Sequence, residues 1–279
     1  MKLKKSVLKM SDKSPPEIAQ SVCEIGCKKT KMPLLKMFVL ALLAGAYIGF
    51  GAQLMTTAKV GLAAVVGTGL ANVIGGSVFS VGLMLVVIGG AELFTGNNLI
   101  SLACCHGKAS FVGLMKNWSV VYIGNFVGSV LIALIVFGSF YASRDPGAMG
   151  TLALGVASAK VDLAFTEALF RGIACNWLVC LAVWLAVSSK DTIGKIFACF
   201  FPIMAFVAMG FEHSIANMFF IPIGLFLKDF AGLSGASANL TWAGFLGSNL
   251  LPVTIGNIIG GAFFVGVLYW YTYLKGKKD

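Results

Sequence analysis

The chain has 279 residues, 58% of them hydrophobic and only 11% charged, whereas soluble domains carry about 25% charged residues. That excludes an ordinary water-soluble globule. Lys and Arg outnumber Asp and Glu by 21 to 11, but the net charge of +10 gathers at the chain ends: nine basic residues precede Phe38, and Lys275, Lys277 and Lys278 close the sequence. Basic residues beside apolar runs report membrane orientation, and with no stacking aromatics among them they argue against a nucleic-acid partner.

In chain order, residues 1–33 read as a polar, basic cytoplasmic tail without the apolar stretch of a cleavable signal. Within this tail, residues 14–30 predict a short amphipathic helix. Ser14 is its N-cap, Pro15 its first helical residue and Glu17 the other half of a capping box. Ile18, Val22 and Ile25 fall on one face, which should rest on the membrane surface or on the protein's own cytoplasmic face.

A membrane domain follows over residues 34–274, and 275–279 form a basic tail. Its apolar segments are Leu34 to Met55, Gly69 to Cys105, Trp118 to Tyr141, Leu163 to Val187, Ile196 to Leu227 and Asn249 to Leu274. A span needs roughly 20 apolar residues. The second and fifth segments are too long for one straight crossing and carry polar residues in their middles, so interrupted helices are expected there. Six crossings return both termini to one side. With the N-terminus cytoplasmic, 16 basic residues lie inside, and Lys59, Arg144, Lys160 and Lys228 lie outside. That asymmetry predicts cytoplasmic termini in a cell inner membrane.

The two long segments share a pattern. Gly90-Ala91-Glu92 followed by Asn97 matches Gly210-Phe211-Glu212 followed by Asn217, 120 residues on. The next segments match too: Asn117, Gly124, Asn125 and Gly128 are mirrored by Asn249, Gly256, Asn257 and Gly260. Two matches in the same order imply a duplication. Three crossings per half force the second half to enter the membrane in the opposite sense, so the repeat is inverted. Inverted repeats with broken helices place a solute path between the halves.

Ionisable groups inside a membrane are functional candidates by default, and here they are Glu92, Glu167, Arg171, Glu212 and His213. Glu167 and Arg171, four apart with the acid first, read as a structural ion pair. Glu92 and Glu212 sit at equivalent helix breaks, where unpaired backbone N–H groups need acceptors, so both are expected to be structural. Asn97, Asn125, Asn217 and Asn257 should bond between helices, because an unsatisfied amide in hydrocarbon is costly. His213 differs: its counterpart in the first half is Leu93, and histidine changes charge near neutrality. Gly45/Gly49, Gly124/Gly128 and Gly256/Gly260 are small-residue pairs that let helices approach closely.

Of the seven cysteines, most fall in or beside apolar segments as buried thiols. Cys104-Cys105-His106 is a tight Cys/His cluster without the second half a zinc site needs. No metal and no cofactor are expected, and a membrane-embedded enzyme built on that cluster is the disfavoured rival.

The stretches AELFTGNNL (Ala91 to Leu99), KNWxxVYIGNxxGS (Lys116 to Ser129), RGIACNWLVCLAVW (Arg171 to Trp184), FVAMGFEHSIANMFFIP (Phe206 to Pro222) and NLLPVTIGNIIGG (Asn249 to Gly261) resemble the formate/nitrite transporter family. The resemblance implies an aquaporin-like protomer of the all-α membrane class, with six transmembrane segments arranged as three plus three. Five protomers would form a ring in the lipid bilayer, each with its own pore for small monovalent anions such as formate, nitrite or hydrosulfide. It further implies that Phe79 and Leu83 narrow the pore in a loop interrupting the second segment. Phe94 and Phe206 would form the other constriction, with Thr95 and His213 as the polar groups between. Lys160, in the outer loop after the third crossing, would draw anions in, and Asn176 and Asn249 would line the pore beside the histidine.

A bare anion crosses apolar rings at high cost, because desolvation disfavours charge. Proton donation from His213 to a weak-acid anion would let the neutral acid pass. A neutral-solute pore is the alternative within transport, though the paired Asn-Pro-Ala boxes of such pores are missing.

Overall fold

The computed structural model describes residues 12–139 and 147–277, and its regular elements are all helical. Lys2, Lys4, Lys5, Lys9, Arg144 and Lys278, which entered the charge count, lie outside the described residues.

Helix α1 (Pro15–Thr30) starts at its capping box: the Ser14 N–H and hydroxyl both donate to Glu17 Oε2, at 2.8 and 2.6 Å. Ile18, Ala19, Val22 and Cys23 are buried in a cluster with Leu99, Leu102, Ala103 and Trp184, so α1 lies against an end face of the protein itself. Ile25 does not join that face and is 39% exposed. Gly26, in register with Ile18 and Val22, takes the contact position and lets the helix approach Ala103 and Ile100.

The remaining helices are α2 (Leu34–Lys59), α3 (Leu62–Phe79), α4 (Val81–Gly89), α5 (Phe94–Asn97), α6 (Ile100–Cys105), α7 (Phe111–Gly138), α8 (Ala148–Val161), α9 (Phe165–Ser188), α10 (Thr192–Ala208), α11 (Ser214–Asp229) and α12 (Gly244–Tyr273). By length and composition α2, the run of α3 into α4, α7, α9 and α12 can each cross a membrane, whereas α10 has 17 residues. Helix α12 widens to π geometry over Gly244–Leu250 and Ile259–Val267.

Both long segments are broken where the repeated Gly-x-Glu motif stands. After α4 the chain turns at Gly90 (φ 82°) and re-enters helix at Phe94; after α10 it turns at Gly210 (φ 71°) and re-enters at Ser214. Left-handed backbone is the reason for glycine at both points. The two exits close alike, with Ala91 N–H donating to Val86 O at 2.9 Å and Phe211 N–H to Phe206 O at 3.0 Å.

Two sequence expectations need correction. No loop interrupts the chain at Phe79 and Leu83: Ser80 alone separates α3 from α4 and stays in the right-handed helical region. Lys160 lies on the last turn of α8, not in a loop. That helix is apolar and rich in small residues, but its 14 residues are too few for a membrane crossing; it buries Met149, Ala153, Leu154, Ala157 and Val161.

Glycines set the closest helix contacts. A Cβ on Gly128 of α7 would stand 1.9 Å from Leu42 O on α2, and one on Gly260 of α12 would stand 2.1 Å from Ile173 O on α9. These approaches carry asparagines of α7 and α12 up to the helix breaks.

Candidate functional site

The breaks free backbone groups, and asparagines of α7 and α12 satisfy them. Asn125 Oδ1 accepts the Phe94 N–H at 2.9 Å, while its amide donates to Ala41 O at 2.7 Å and Glu92 O at 2.9 Å. Asn257 does the same on the other side, accepting Ser214 N–H at 2.9 Å and donating to Gly172 O at 2.8 Å and Glu212 O at 3.0 Å. Both amides bond between elements, as expected. The expectation that Glu92 and Glu212 cap the breaks is corrected, because their carboxylates bind side chains instead.

Each carboxylate anchors a four-residue cluster. Glu92 accepts from Lys29 Nζ at 2.6 Å and from Asn97 Nδ2 at 2.7 Å, and Asn97 donates on to Asn117 Oδ1 at 2.9 Å. Glu212 accepts from Lys160 Nζ at 2.8 Å and from Asn217 Nδ2 at 2.6 Å, and Asn217 donates on to Asn249 Oδ1 at 2.7 Å. Both glutamates are about 95% buried by their 4% exposure. Burying such charges is tolerable only when each is paired and hydrogen-bonded.

The clusters differ in one bond. Lys29 Nζ also donates to Asn97 Oδ1 at 2.9 Å, whereas Asn217 Oδ1 is buried without a protein partner. Lys160 thus commits one of its three donors to its cluster where Lys29 commits two.

At the centre the two halves diverge. Thr95 on α5 and His213 before α11 occupy non-equivalent positions, yet Thr95 Oγ1 and His213 Nε2 are 2.8 Å apart. His213 is the N-cap of α11, and its Nδ1 accepts the Ala216 N–H at 3.1 Å. An accepting Nδ1 carries no proton, so the neutral ring holds its proton on Nε2 and donates it to Thr95 Oγ1. The Thr95 hydroxyl proton is then the donor left over at this point.

Two cavities of about 380 Å³ each flank this pair. One is bordered by Lys160, Glu212, Asn217, His213, Phe79 and Phe206, with Lys59, Asn72 and Arg171 on its wall. The other, under α1, is bordered by Lys29, Glu92, Asn97, Leu83, Val86 and Leu93. His213 and its counterpart Leu93 therefore face opposite cavities.

The apolar side chains regroup accordingly. Phe79 meets Phe206 edge-on at 6.0 Å between centroids, and both line the Lys160 cavity, while Leu83, one helical turn beyond Phe79, lines the Lys29 cavity. Pairing Phe79 with Leu83 in one constriction, and Phe94 with Phe206 in the other, is corrected by this arrangement. Phe94 is instead held edge-on by Trp118 at 5.9 Å and Tyr122 at 4.9 Å.

Asn176 is fully buried and donates to Thr95 O, Asn98 Oδ1 and Asn257 O. Asn249 donates to Lys160 O at 2.8 Å. Neither amide is among the residues lining the two cavities; they hold Thr95 and Lys160 from behind. Glu167 and Arg171 form the expected i,i+4 ion pair, and Arg171 also donates to Gly210 O.

Lys29 entered the sequence reading only as a unit of charge. Extending the repeat upstream finds it, since Lys29 and Lys160 share the offset that relates Ala41 to Gly172, the two carbonyls bound by Asn125 and Asn257.

A broken-helix membrane protein with mirrored Lys–Glu–Asn clusters about a Thr–His pair defines a small-solute transporter class. Comparison with known proteins gives it a family: the formate/nitrite transporter family model matches residues 16–271, and the chain belongs to that family. The chain is 48% identical to the probable formate transporter of Methanothermobacter thermautotrophicus, over 95% of this chain and 98% of the relative. It is 42% identical to the formate channel FocA of Escherichia coli K12, over 94% of each. Among solved structures, a pentameric formate channel with formate bound superposes with a TM-score of 0.80 at 41% identity, covering 87% of this chain and 98% of that one.

Proposed function

We propose that this protein carries small weak-acid anions, formate foremost, across the cytoplasmic membrane. The working unit is a homopentamer in which each protomer has its own path. In this reading α2 to α7 and α9 to α12 make six crossings as an inverted three-plus-three repeat. Both termini are cytoplasmic, so the Lys160 cavity opens outside and the Lys29 cavity inside. The strong similarity to formate transporters along nearly the whole chain supports the substrate.

The observation that carries the mechanism is the Thr95–His213 contact at 2.8 Å, made by residues that break the repeat symmetry. An anion leaving the outer cavity meets Phe79 and Phe206, where water is stripped and charge becomes expensive. A ring with only its Nε2 proton would become imidazolate on donating it, so donation requires the doubly protonated ring. Reaching that state costs the Ala216 N–H bond to Nδ1. The resting ring is therefore neutral and takes its second proton, at Nδ1, from water of the outer cavity when an anion stands beside it. The Nε2 proton then moves to Thr95 Oγ as the Thr95 hydroxyl proton passes to a formate oxygen. Formic acid crosses past Leu83 and Leu93, and the ring is left with its Nδ1 proton. Taking a proton from water at Nε2 while losing the one on Nδ1 returns the neutral resting ring and restores the Ala216 bond.

Counterflow of labelled formate in liposomes, with internal pH recorded, tests this reading. Formate uptake accompanied by internal acidification supports it. A protein that passes chloride as readily as formate, or conducts water without formate, overturns it.

A further inference from the structure

The charges on the wall of the Lys160 cavity are not equally available. Lys160 is paired with Glu212 at 2.8 Å, and Arg171 with Glu167. Asp162, just beyond Lys160, is engaged by Ser237 and Asn239. Lys59 alone on this wall has a neutral partner: its Nζ donates to Asn72 Oδ1 at 2.7 Å, and no carboxylate among the described residues is bound to it. Asp162 does not line the cavity, and of the cations that do, Lys160 and Arg171 are each matched by a carboxylate, so the unmatched charge of the lining is that of Lys59.

Its position is built, not incidental. The stem of Lys59 lies over Gly75 of α3, where a Cβ would stand 2.8 Å from Lys59 Cδ. Asn72, one turn earlier on the same helix, takes the head group. The bare glycine and the carbonyl together fix an ammonium on the wall of the cavity, with donor protons to spare.

We propose that Lys59, held by Asn72 and Gly75, is an anion-binding site that collects the substrate in this cavity before it reaches Lys160. Lys160, neutralised by Glu212, then acts only at short range. This rests on the reading of the cavity as an anion vestibule. A single uncompensated charge on a low-dielectric wall raises local anion concentration. It affects how much formate is needed to saturate, not the rate once the path is full.

The test is formate uptake into liposomes by the full chain at about 10 mM and about 500 mM salt, which sets weak or strong screening. Lys59→Gln is expected to raise the half-saturating formate concentration about three- to tenfold at low salt, with the maximal rate retained. Lys59→Arg should stay near wild type. Asn72→Asp, which keeps the lysine but gives it a carboxylate, should reproduce Lys59→Gln even if that variant assembles poorly. At high salt the variants should converge.

A pentameric Lys59→Gln or Asn72→Asp protein with wild-type half-saturation at low salt overturns the proposal while leaving the transport reading intact. Lys59→Arg behaving like Lys59→Gln also overturns it, since the lysine would then be a packing residue. A wild-type protein silent toward formate removes the transport reading, and this site falls with it.

Discussion

Thr95 Oγ1 and His213 Nε2 meet at 2.8 Å although they come from opposite helix breaks and from positions that the internal repeat does not equate. The counterpart of His213 is Leu93 and that of Thr95 is Ile215, so each half contributes one polar residue where the other half has an aliphatic one. The Asn and Glu framework around them is mirrored; the chemistry is not. Symmetry builds the frame, and its loss places one hydrogen-bonded pair between the two cavities.

Variants of that pair should separate framework from proton transfer. Asparagine is a good helix N-cap, so His213→Asn should keep the Ala216 N–H satisfied and assemble as a pentamer. It cannot donate and recover a proton, so formate flux should lose its accompanying acidification. Thr95→Ser should retain coupling, and Thr95→Val should lower formate flux by about 100-fold, the lower end of general-acid effects. Paired flux and internal-pH recordings check both. Intact proton coupling in assembled His213→Asn would remove the histidine from the mechanism.

The Lys160–Glu212 pair should be mainly structural in its energetics. Glu212 is buried and Lys160 is its cationic partner, so Lys160→Gln strands a charge at a cost of about 3 kcal/mol. The double variant Lys160→Gln/Glu212→Gln should recover most of that loss, because Gln can still accept from Asn217. Thermal unfolding of the pentamer across the double-mutant cycle measures the coupling. Additive losses would show that the pair contributes nothing. Lys160→Glu would set two carboxylates together and should fail to assemble, so it does not report on anion attraction.

Why was some of this legible in the sequence and some not? The breaks were legible because Gly-x-Glu-x4-Asn and Asn-x6-Gly-Asn recur, and a left-handed turn with a neighbouring amide leaves a compositional trace. The histidine was legible because it stands out against its own repeat. What the spacing could not give was which side chain serves which group. Glutamate and asparagine are both acceptors, and only the approach of α7 and α12 decides that Asn125 and Asn257 take the N–H groups while Glu92 and Glu212 take lysines. Helix α8 was hidden for a different reason: its 14 residues fall short of the roughly 20-residue run that marks a span, although they pack closely on α11, as Ala157 does at Gly224. The division between Phe79 and Leu83 was invisible because one helical turn sends them to different cavities.

Phe94 is clamped by hydrogen-bonded aromatics, and loosening the clamp should broaden selectivity. Trp118 Nε1 donates to Asn97 O at 3.0 Å, and the Tyr122 hydroxyl pairs with Thr254 Oγ1 at 2.8 Å, so both rings that meet Phe94 edge-on are fixed at their polar ends. Tyr122→Phe keeps the edge contact and loses one hydrogen bond, worth about 1 kcal/mol. Tyr122→Ala removes the ring. Uptake of acetate and lactate relative to formate is the readout: Tyr122→Phe should shift the ratio little, and Tyr122→Ala should raise it severalfold. An unchanged ratio in an assembled Tyr122→Ala pentamer would show that Phe94 needs no clamp.

Orientation is testable with a native thiol. Cys105 ends α6 and is exposed, on the same end of the protein as α1. The proposed orientation, drawn from 16 basic residues against four counted along the sequence, places that end on the cytoplasmic side. A variant keeping only Cys105 should therefore resist a membrane-impermeant maleimide in intact cells and react in inside-out vesicles. Surrounding protein atoms push the Cys105 thiol above its ordinary value of 9.0. Because the thiolate is the reactive form, less of it is present at pH 7 than in a free cysteine. Labelling should be slow there and accelerate as the pH rises past 9. A rate already flat above pH 8 would contradict the raised thiol alone, while equal labelling in intact cells and inside-out vesicles would reverse the assigned orientation. The outward cavity would then be the one bordered by Lys29, and Lys59 would face the cytoplasm.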